Sequence, residues 1–215
     1  MIDLHTHTLF SDGELLPSEL VRRAEMTGYE AVGLTDHADS SNLDWIVPRL
    51  VQVCKDLNAH WKIRAVPGIE LTHVPPVMIA GLAQKARALG ALIVVVHGET
   101  LVEPVPPMTN RMAIEAGVDI LAHPGLITAE EVVLARERKV ALEISARKGH
   151  SLANGHVVHL GKKHGAELVL NTDSHSPDDL ISLEKALTLA LGAGLGSDDF
   201  ERMLGNSRRF IARLS

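Results

Sequence analysis

Met1-Ile2-Asp3-Leu4-His5-Thr6-His7 is a short apolar start that runs straight into a His-x-His. It leaves room for one strand and nothing else. Side chains two apart on a strand point the same way, so both imidazoles can reach one point in space. Two neutral imidazoles aimed at one point are half of a metal site. A lone His-x-His is a weak signal, and recurrence strengthens it. Apolar runs end in the same kind of punctuation at residues 31–35 before Asp36-His37, 63–69 before Glu70, 92–96 before His97, 118–122 before His123, and 168–171 before Asp173-x-His175. Residues 140–144 form one further run, around Glu143.

The stretches between these runs read as helices. Pro17 and Gly28 suit the start and end of the first. Leu43, Ile46, Leu50, Val53 and Leu57 share one face of the second, over residues 42–58. Thr128 and Glu131 have the spacing of a capping box. Residues 151–164, 177–191 and 198–204 are expected to be helical, with Asn206 capping a last turn. Strand ends near residues 5, 37, 70, 97, 123, 143 and 173 are spaced 20 to 33 residues apart. Each interval is one right-handed βα unit. Seven such units could build an open sheet or a closed barrel. Candidate ligands follow at least six of the seven strands, and only a ring gathers them, because all strand C-termini of a barrel surround one mouth. The expected fold is therefore α/β, a distorted (β/α)7 barrel with a metal site at the C-terminal mouth. No linker or charge block divides residues 1–215, so one domain is expected.

Composition narrows the function. The chain is 46% hydrophobic and 22% charged, with a formal charge of −6, which disfavours a broad nucleic-acid-binding surface. Cys54 is the single cysteine, so no internal disulfide forms and a reducing cytoplasm is the expected setting. The first strand begins at residue 2, leaving no room for a signal peptide, and the run at 92–96 is far too short to span a membrane. Twelve histidines stand beside three Phe, two Trp and one Tyr. A histidine-rich, aromatic-poor chain points to histidines with chemistry to do.

The combination His5-x-His7, Ser11-Asp12-Gly13, Asp36-His37, Glu70, His97, His123-Pro124-Gly125 and Asp173-x-His175 resembles the PHP (polymerase and histidinol phosphatase) family of metal-dependent phosphoesterases, from the first strand to the seventh. That resemblance implies the barrel and two to three divalent ions. One ion would take His5, His7, Glu70 and Asp173. A second would share Glu70 and add His97 and His123. A third would sit on Asp12, His37 and His175, with Asp12 where many relatives have histidine. Imidazole with carboxylate and no thiolate suits Zn, Mn or Fe. Two ions about 3.5–4 Å apart can generate a hydroxide at neutral pH and clamp phosphate oxygens.

Outside the ligand set, Asp36 is a candidate proton carrier or a group that orients a ligand. Arg147 and Lys148 follow the sixth strand just before a helix N-terminus, where Arg can bind phosphate in a fork. His73, three residues past Glu70, is a candidate substrate contact. Glu143 points inward, either paired with Arg147, the preferred reading, or toward the metals. His156, His159 and His164 are expected on a solvated helix face, and Cys54 among buried apolar positions. The leading function is hydrolysis of a small phosphomonoester, as in histidinol phosphatases. Phosphodiester or nuclease activity and a silent metal-binding module are the alternatives, and no oligomeric state can be read.

Overall fold

The structure is a computed structural model that describes residues 1–214. Its centre is a parallel sheet in the order β1-β2-β4-β5-β6-β7-β8, with the two-residue β3 alongside β4. The strands are β1 (Ile2–Thr6), β2 (Ala31–Leu34), β3 (His37–Ala38), β4 (Arg64–Leu71), β5 (Ile93–His97), β6 (Ile120–Ala122), β7 (Ala141–Ser145) and β8 (Leu168–Asn171). Strands β2 and β3 are two pieces of the expected second strand. The interruption falls at Thr35-Asp36, where the Thr35 hydroxyl accepts from Thr6 N–H (3.0 Å) and the Asp36 side chain turns to a neighbouring loop.

Sheet closure comes from β1 and β8. A parallel bridge joins Thr6 to Ser174, Asp173 N–H donates to His5 C=O (2.9 Å) and His7 N–H to Ser174 C=O (2.9 Å). Side chains continue the seam where the backbone ladder does not. Leu4 N–H donates to Asn171 Oδ1 (2.9 Å), and the Thr172 hydroxyl donates to Asp3 Oδ2 (2.5 Å). The result is the distorted (β/α)7 barrel expected from the strand spacing.

Two apolar cores follow from the period-2 alternation of the strands. Leu4, Val66, Ile93, Val95, Ile120 and Val169 fill the barrel interior. The opposite strand faces, including Leu34, Val94, Val96, Leu142 and Ile144, pack under the surrounding helices. These are α1 (Pro17–Met26), α2 (Leu43–Asn58), α3 (Ile79–Ala88), α4 (Thr109–Glu115), α5 (Ala129–Arg138), α6 (Asn154–His164), α7 (Leu183–Gly192) and α8 (Ser197–Arg213). The Thr128–Glu131 capping box forms as expected, and Cys54 is buried in α2. Phe210, Ile211 and Leu214 pack against the interior core, so the C-terminal end of the chain covers the barrel floor. Arg64 donates to the carbonyls of Ile211 and Leu214 there (3.1 Å each), where a cation suits a helix C-terminus.

Three helix expectations need correction. The helix expected from Pro177 begins at Leu183, capped by Ser182. Residues Pro177–Asp179 make a single 3-10 turn, closed by the Asp179 carboxylate, which accepts from His175 N–H (2.9 Å) and Ser176 N–H (2.8 Å). Asn206 caps nothing. It lies inside α8, which runs unbroken, and donates to Leu168 C=O (2.7 Å). His156 is half-buried and its Nε2 bonds Ile127 C=O (2.7 Å), so it ties α6 to the loop before α5 instead of facing solvent. No helix among the described residues is long and apolar enough to cross a membrane.

Gly68 marks how closely β4 fits its neighbours. An added Cβ would lie 2.7 Å from Thr35 Cγ2 and 2.9 Å from Ile93 C=O. Gly68→Ala should therefore destabilise the fold by about 1–3 kcal/mol, the usual cost of overpacking. Urea denaturation should show a lower midpoint at unchanged slope.

Candidate metal centre

Every strand contributes a polar side chain at or just beyond its C-terminal end, and the ring of strands turns seven separate motifs into one cluster. His5 and His7 bracket the end of β1, with ring centroids 5.0 Å apart. His5 is wholly buried, and its Nδ1 lies 2.8 Å from Glu143 Oε2. That contact turns His5 Nε2 toward Glu70 Oε1 (3.3 Å) and Asp173 Oδ1 (3.8 Å). His7 Nε2 lies 3.1 Å from the same Asp173 oxygen. His123 Nε2 is 3.8 Å from Glu70 Oε1 and 3.7 Å from Asp173 Oδ2. Glu70 and Asp173 thus stand between imidazoles contributed by several strands.

Next to this inner set lies a second, more open one. His37 Nε2 and His175 Nε2 are 3.4 and 3.2 Å from Asp12 Oδ1, and the His7 ring stands 4.1 Å from each of their rings. His37 Nδ1 meets Glu70 Oε2 (2.5 Å) and Thr72 Oγ1 (2.6 Å), so Glu70 links the two sets. On the other side, His97, His123 and His150 converge, with the rings of His123 and His150 stacked 4.0 Å apart. All nine candidate ligands therefore meet at the mouth.

The geometry suits cations. Buried His5 Nε2, His7 Nε2 and Glu70 Oε1 make no hydrogen bond, yet they belong to donors within 4.8 Å of one another. Buried polar atoms without partners are costly, and an ion between them removes the cost. Protons partly fill that role without an ion. Burial opposes a charge on His37, but Glu70 and Asp12 raise its pKa to about 10. Burial pushes Asp173 up to about 7 against the pull of His5. His7 and His123 are driven well below the ordinary histidine value by burial, which keeps them neutral as ligands must be. Backbone strain gathers here as well: His73 (φ 52°), His123 (φ 28°) and Asp173 (φ 53°) are non-glycine residues in the left-handed region, where such conformations cluster at functional sites.

The other predicted residues divide. Arg147 lines the same cleft, a space of about 250 Å3 that also includes His73, His97, His150 and Glu103. Its Nη1 lies 2.6 Å from His175 Nδ1 and 3.1 Å from Asp173 C=O. Lys148 is exposed and does not belong to the cleft lining. Asp36 is not placed as a proton carrier. It is fully buried and accepts from Thr8 N–H (2.7 Å), Ser11 N–H (3.1 Å) and both their hydroxyls, so it shapes the turn that carries Asp12. Glu143 does not pair with Arg147. Besides His5, it accepts from Asn171 Nδ2 (2.9 Å). His150 and Glu103 were missed by sequence reasoning. The available signal was their position, since both follow strands at the mouth, Glu103 in the loop after β5 and His150 at the start of the 3-10 turn His150–Ala153 after β7.

Comparison with known proteins agrees with this geometry. The PHP domain description matches residues 3–139. The chain belongs to the PHP family. An uncharacterized protein of Methanocaldococcus jannaschii is 47% identical to this PHP chain, over 94% of each. Ribonuclease P protein component 3 of Methanosarcina barkeri is 29% identical, over 94% of this chain and 85% of its own length. A probable phosphatase of Clostridium novyi is 28% identical, over 81% and 79%. Among solved structures, a candidate histidinol phosphatase from Listeria monocytogenes superposes with a TM-score of 0.57 at 12% identity, covering 84% of this chain and 97% of that one, which is a likeness of fold. Family membership together with the assembled donors makes this PHP chain a phosphoester hydrolase that uses divalent metal.

The Glu143–His5 contact gives a direct test. A carboxylate behind a metal-binding imidazole fixes its tautomer and orientation, and its loss typically costs 10–100-fold in metal affinity. Glu143→Ala should weaken metal binding by about that factor, measured by competition with a chelator of known affinity.

Proposed function

We propose that this PHP barrel hydrolyses a small-molecule phosphomonoester of the histidinol-phosphatase-like type. The observation that carries the reading is the position of Arg147, whose guanidinium shares a small cleft with the imidazoles and carboxylates of the metal centre. His5, His7, Glu70 and Asp173 would hold one ion, Glu70 with His97 and His123 a second, and Asp12, His37 and His175 a third. The set suits Zn, Mn or Fe. When bound, the ions supply positive charge to phosphoryl oxygens and make a coordinated water acidic enough to act as a nucleophile near neutral pH.

The chain's own residues do the rest. Glu143 and Asn171 orient His5, and Asp36 holds the turn that presents Asp12. Arg147, braced by the Asp173 carbonyl, offers its fork to a terminal phosphoryl oxygen, a charge-assisted contact that a diester fills less well because an alkoxy group stands in that place. A cleft of about 250 Å3 and a net charge of −6 suit a small anion neutralised by bound cations better than a polynucleotide, which usually meets a basic face. Buried Cys54 fits a reducing cytoplasm. Similarity to a ribonuclease P component supports the competing nucleic-acid reading, and the choice of substrate separates the two.

Protein purified without chelator should carry at least two transition-metal equivalents per chain by elemental analysis and lose activity to EDTA. Glu70→Gln should be among the most damaging changes, because Glu70 touches both the inner and the open sets. The substrate class is tested by kcat/KM measured side by side on monoesters and diesters. Wild type should favour monoesters, and Arg147→Ala should lower monoester hydrolysis by about 1.5–3 kcal/mol, the scale of a charged hydrogen bond. Lys148→Ala should have little effect. A preference for diesters, or equal losses on both substrates, would move the assignment to a nuclease.

A further inference from the structure

The loop after β5 carries a carboxylate that belongs to none of the nine expected ligands. Glu103 Oε2 lies 3.0 Å from His73 Nε2 and 3.1 Å from His97 Nε2, and its Oε1 lies 3.4 Å from His150 Nε2. These contacts leave the ring nitrogens with a shared deficit. His97 Nδ1 faces Gly98 C=O (3.2 Å) and its Nε2 faces the Glu103 carboxylate (3.1 Å), so the ring meets an acceptor at each nitrogen and one proton cannot serve both. A carboxylate and an imidazole lone pair about 3 Å apart repel unless a proton or a cation lies between them. Donors about 3 Å apart are also what bonds near 2.1 Å make when they meet close to a right angle. His73, His97 and Glu103 in fact offer atoms within 4.8 Å of one another.

Glu103 is not a wandering surface side chain. Its loop contains Pro104, Pro106 and Pro107 and is tied at its base by reciprocal bonds, Glu99 N–H to Asn110 Oδ1 (3.0 Å) and Asn110 N–H to Glu99 Oε1 (2.9 Å). Thr100 Oγ1 lies 2.7 Å from His150 Nδ1, so one loop positions both Glu103 and His150. His73 holds its place at φ 52°, a strained backbone shared in this site with His123 and Asp173. Glu70 Oε2 is taken by His37 (2.5 Å), while its Oε1 faces His5 and His123 at 3.3 and 3.8 Å without a hydrogen bond. Glu103 would give an ion on His97 a second carboxylate beside Glu70 and balance more of its charge.

We propose that Glu103 is the carboxylate ligand of a cation held on His97, with His73 as its outer neighbour and His150 closing the inner side. The inference rests on the metal-dependent reading of the site, which it extends by a ligand group on the β5 loop. The side chains of both Glu103 and His73 are 37% exposed, so an ion can reach this position from solvent.

The test uses the full chain, stripped of metal and titrated with Zn2+ in a calorimeter, alongside Glu103→Gln and His73→Ala. Glu103→Gln should lose one equivalent per chain or weaken one binding event at least tenfold, and His73→Ala should weaken the same event. Thermal melting distinguishes a ligand from a structural contact. Glu103→Gln should leave the metal-free midpoint in place and shrink the rise produced by Zn2+. Wild-type stoichiometry and affinity in both variants would overturn the proposal, as would a loss of midpoint confined to the metal-free protein. Absence of Zn2+ uptake by the wild type would instead fell the metal-dependent reading itself, and this inference with it.

Discussion

The β1–β8 seam is the constraint on which the rest of the structure depends. A parallel barrel must close between its first and last strands, and here a continuous backbone ladder does not do it. Leu4 N–H donates to Asn171 Oδ1, Asn171 Nδ2 donates to Glu143 Oε2, and Glu143 Oε2 meets His5 Nδ1. One chain of hydrogen bonds closes the barrel and aims the first metal-site imidazole. On the same seam, buried Asp3 accepts from Thr172 and from the His5 backbone, and Asp173 N–H donates to His5 C=O. Closure and chemistry are therefore one network, and buried networks of this kind rigidify only when every member is satisfied.

That coupling explains the placement of charge. A ring of imidazoles and carboxylates with few neutral partners would oppose burial by desolvation. The fold meets this in two ways. Carboxylates and imidazoles alternate, so Glu70 is held well below the usual carboxylate range by His5 and His37 against the effect of burial. Several donor atoms stay unpaired for cations to complete. Apolar packing is confined to the interior below the mouth, where Phe210, Ile211 and Leu214 close the floor, and to the strand faces under the helices. Hydrophobic burial stabilises the scaffold while the strand C-termini remain available for chemistry.

Much of this was legible in the sequence because parallel strands write their geometry locally. Each apolar run shows where a strand ends, and a polar residue just past that end must face the mouth. His5, His7, Glu70, His97, His123 and Asp173 could be read that way. Alternation also placed Glu143 inside the barrel, since Leu142 and Ile144 belong to the outer core, but alternation cannot say which inward neighbour it meets. His5 prevails over Arg147 because it sits across the seam, a contact 138 residues distant in sequence. Asp36 shows a different limit, since its buried, hydrogen-bond-accepting role was one of the two readings the sequence offered but its donors were not legible. Its motif is adjacent to His37, yet Thr8 and Ser11 occupy its carboxylate. Glu103 and His150 were hidden for a third reason: they lie on a loop and at the start of a single 3-10 turn (His150–Ala153), where no periodicity reports direction, and only the tertiary structure shows that both turn toward His97.

The most direct test of the central claim, that the closed barrel mouth is a multinuclear metal site, is anomalous X-ray scattering from crystals of catalytically active protein grown without chelator. Data at the Zn, Mn and Fe edges should place one peak among His5, His7, Glu70 and Asp173 and at least one more within the same mouth. Active crystals with no anomalous peak among these residues would contradict the account.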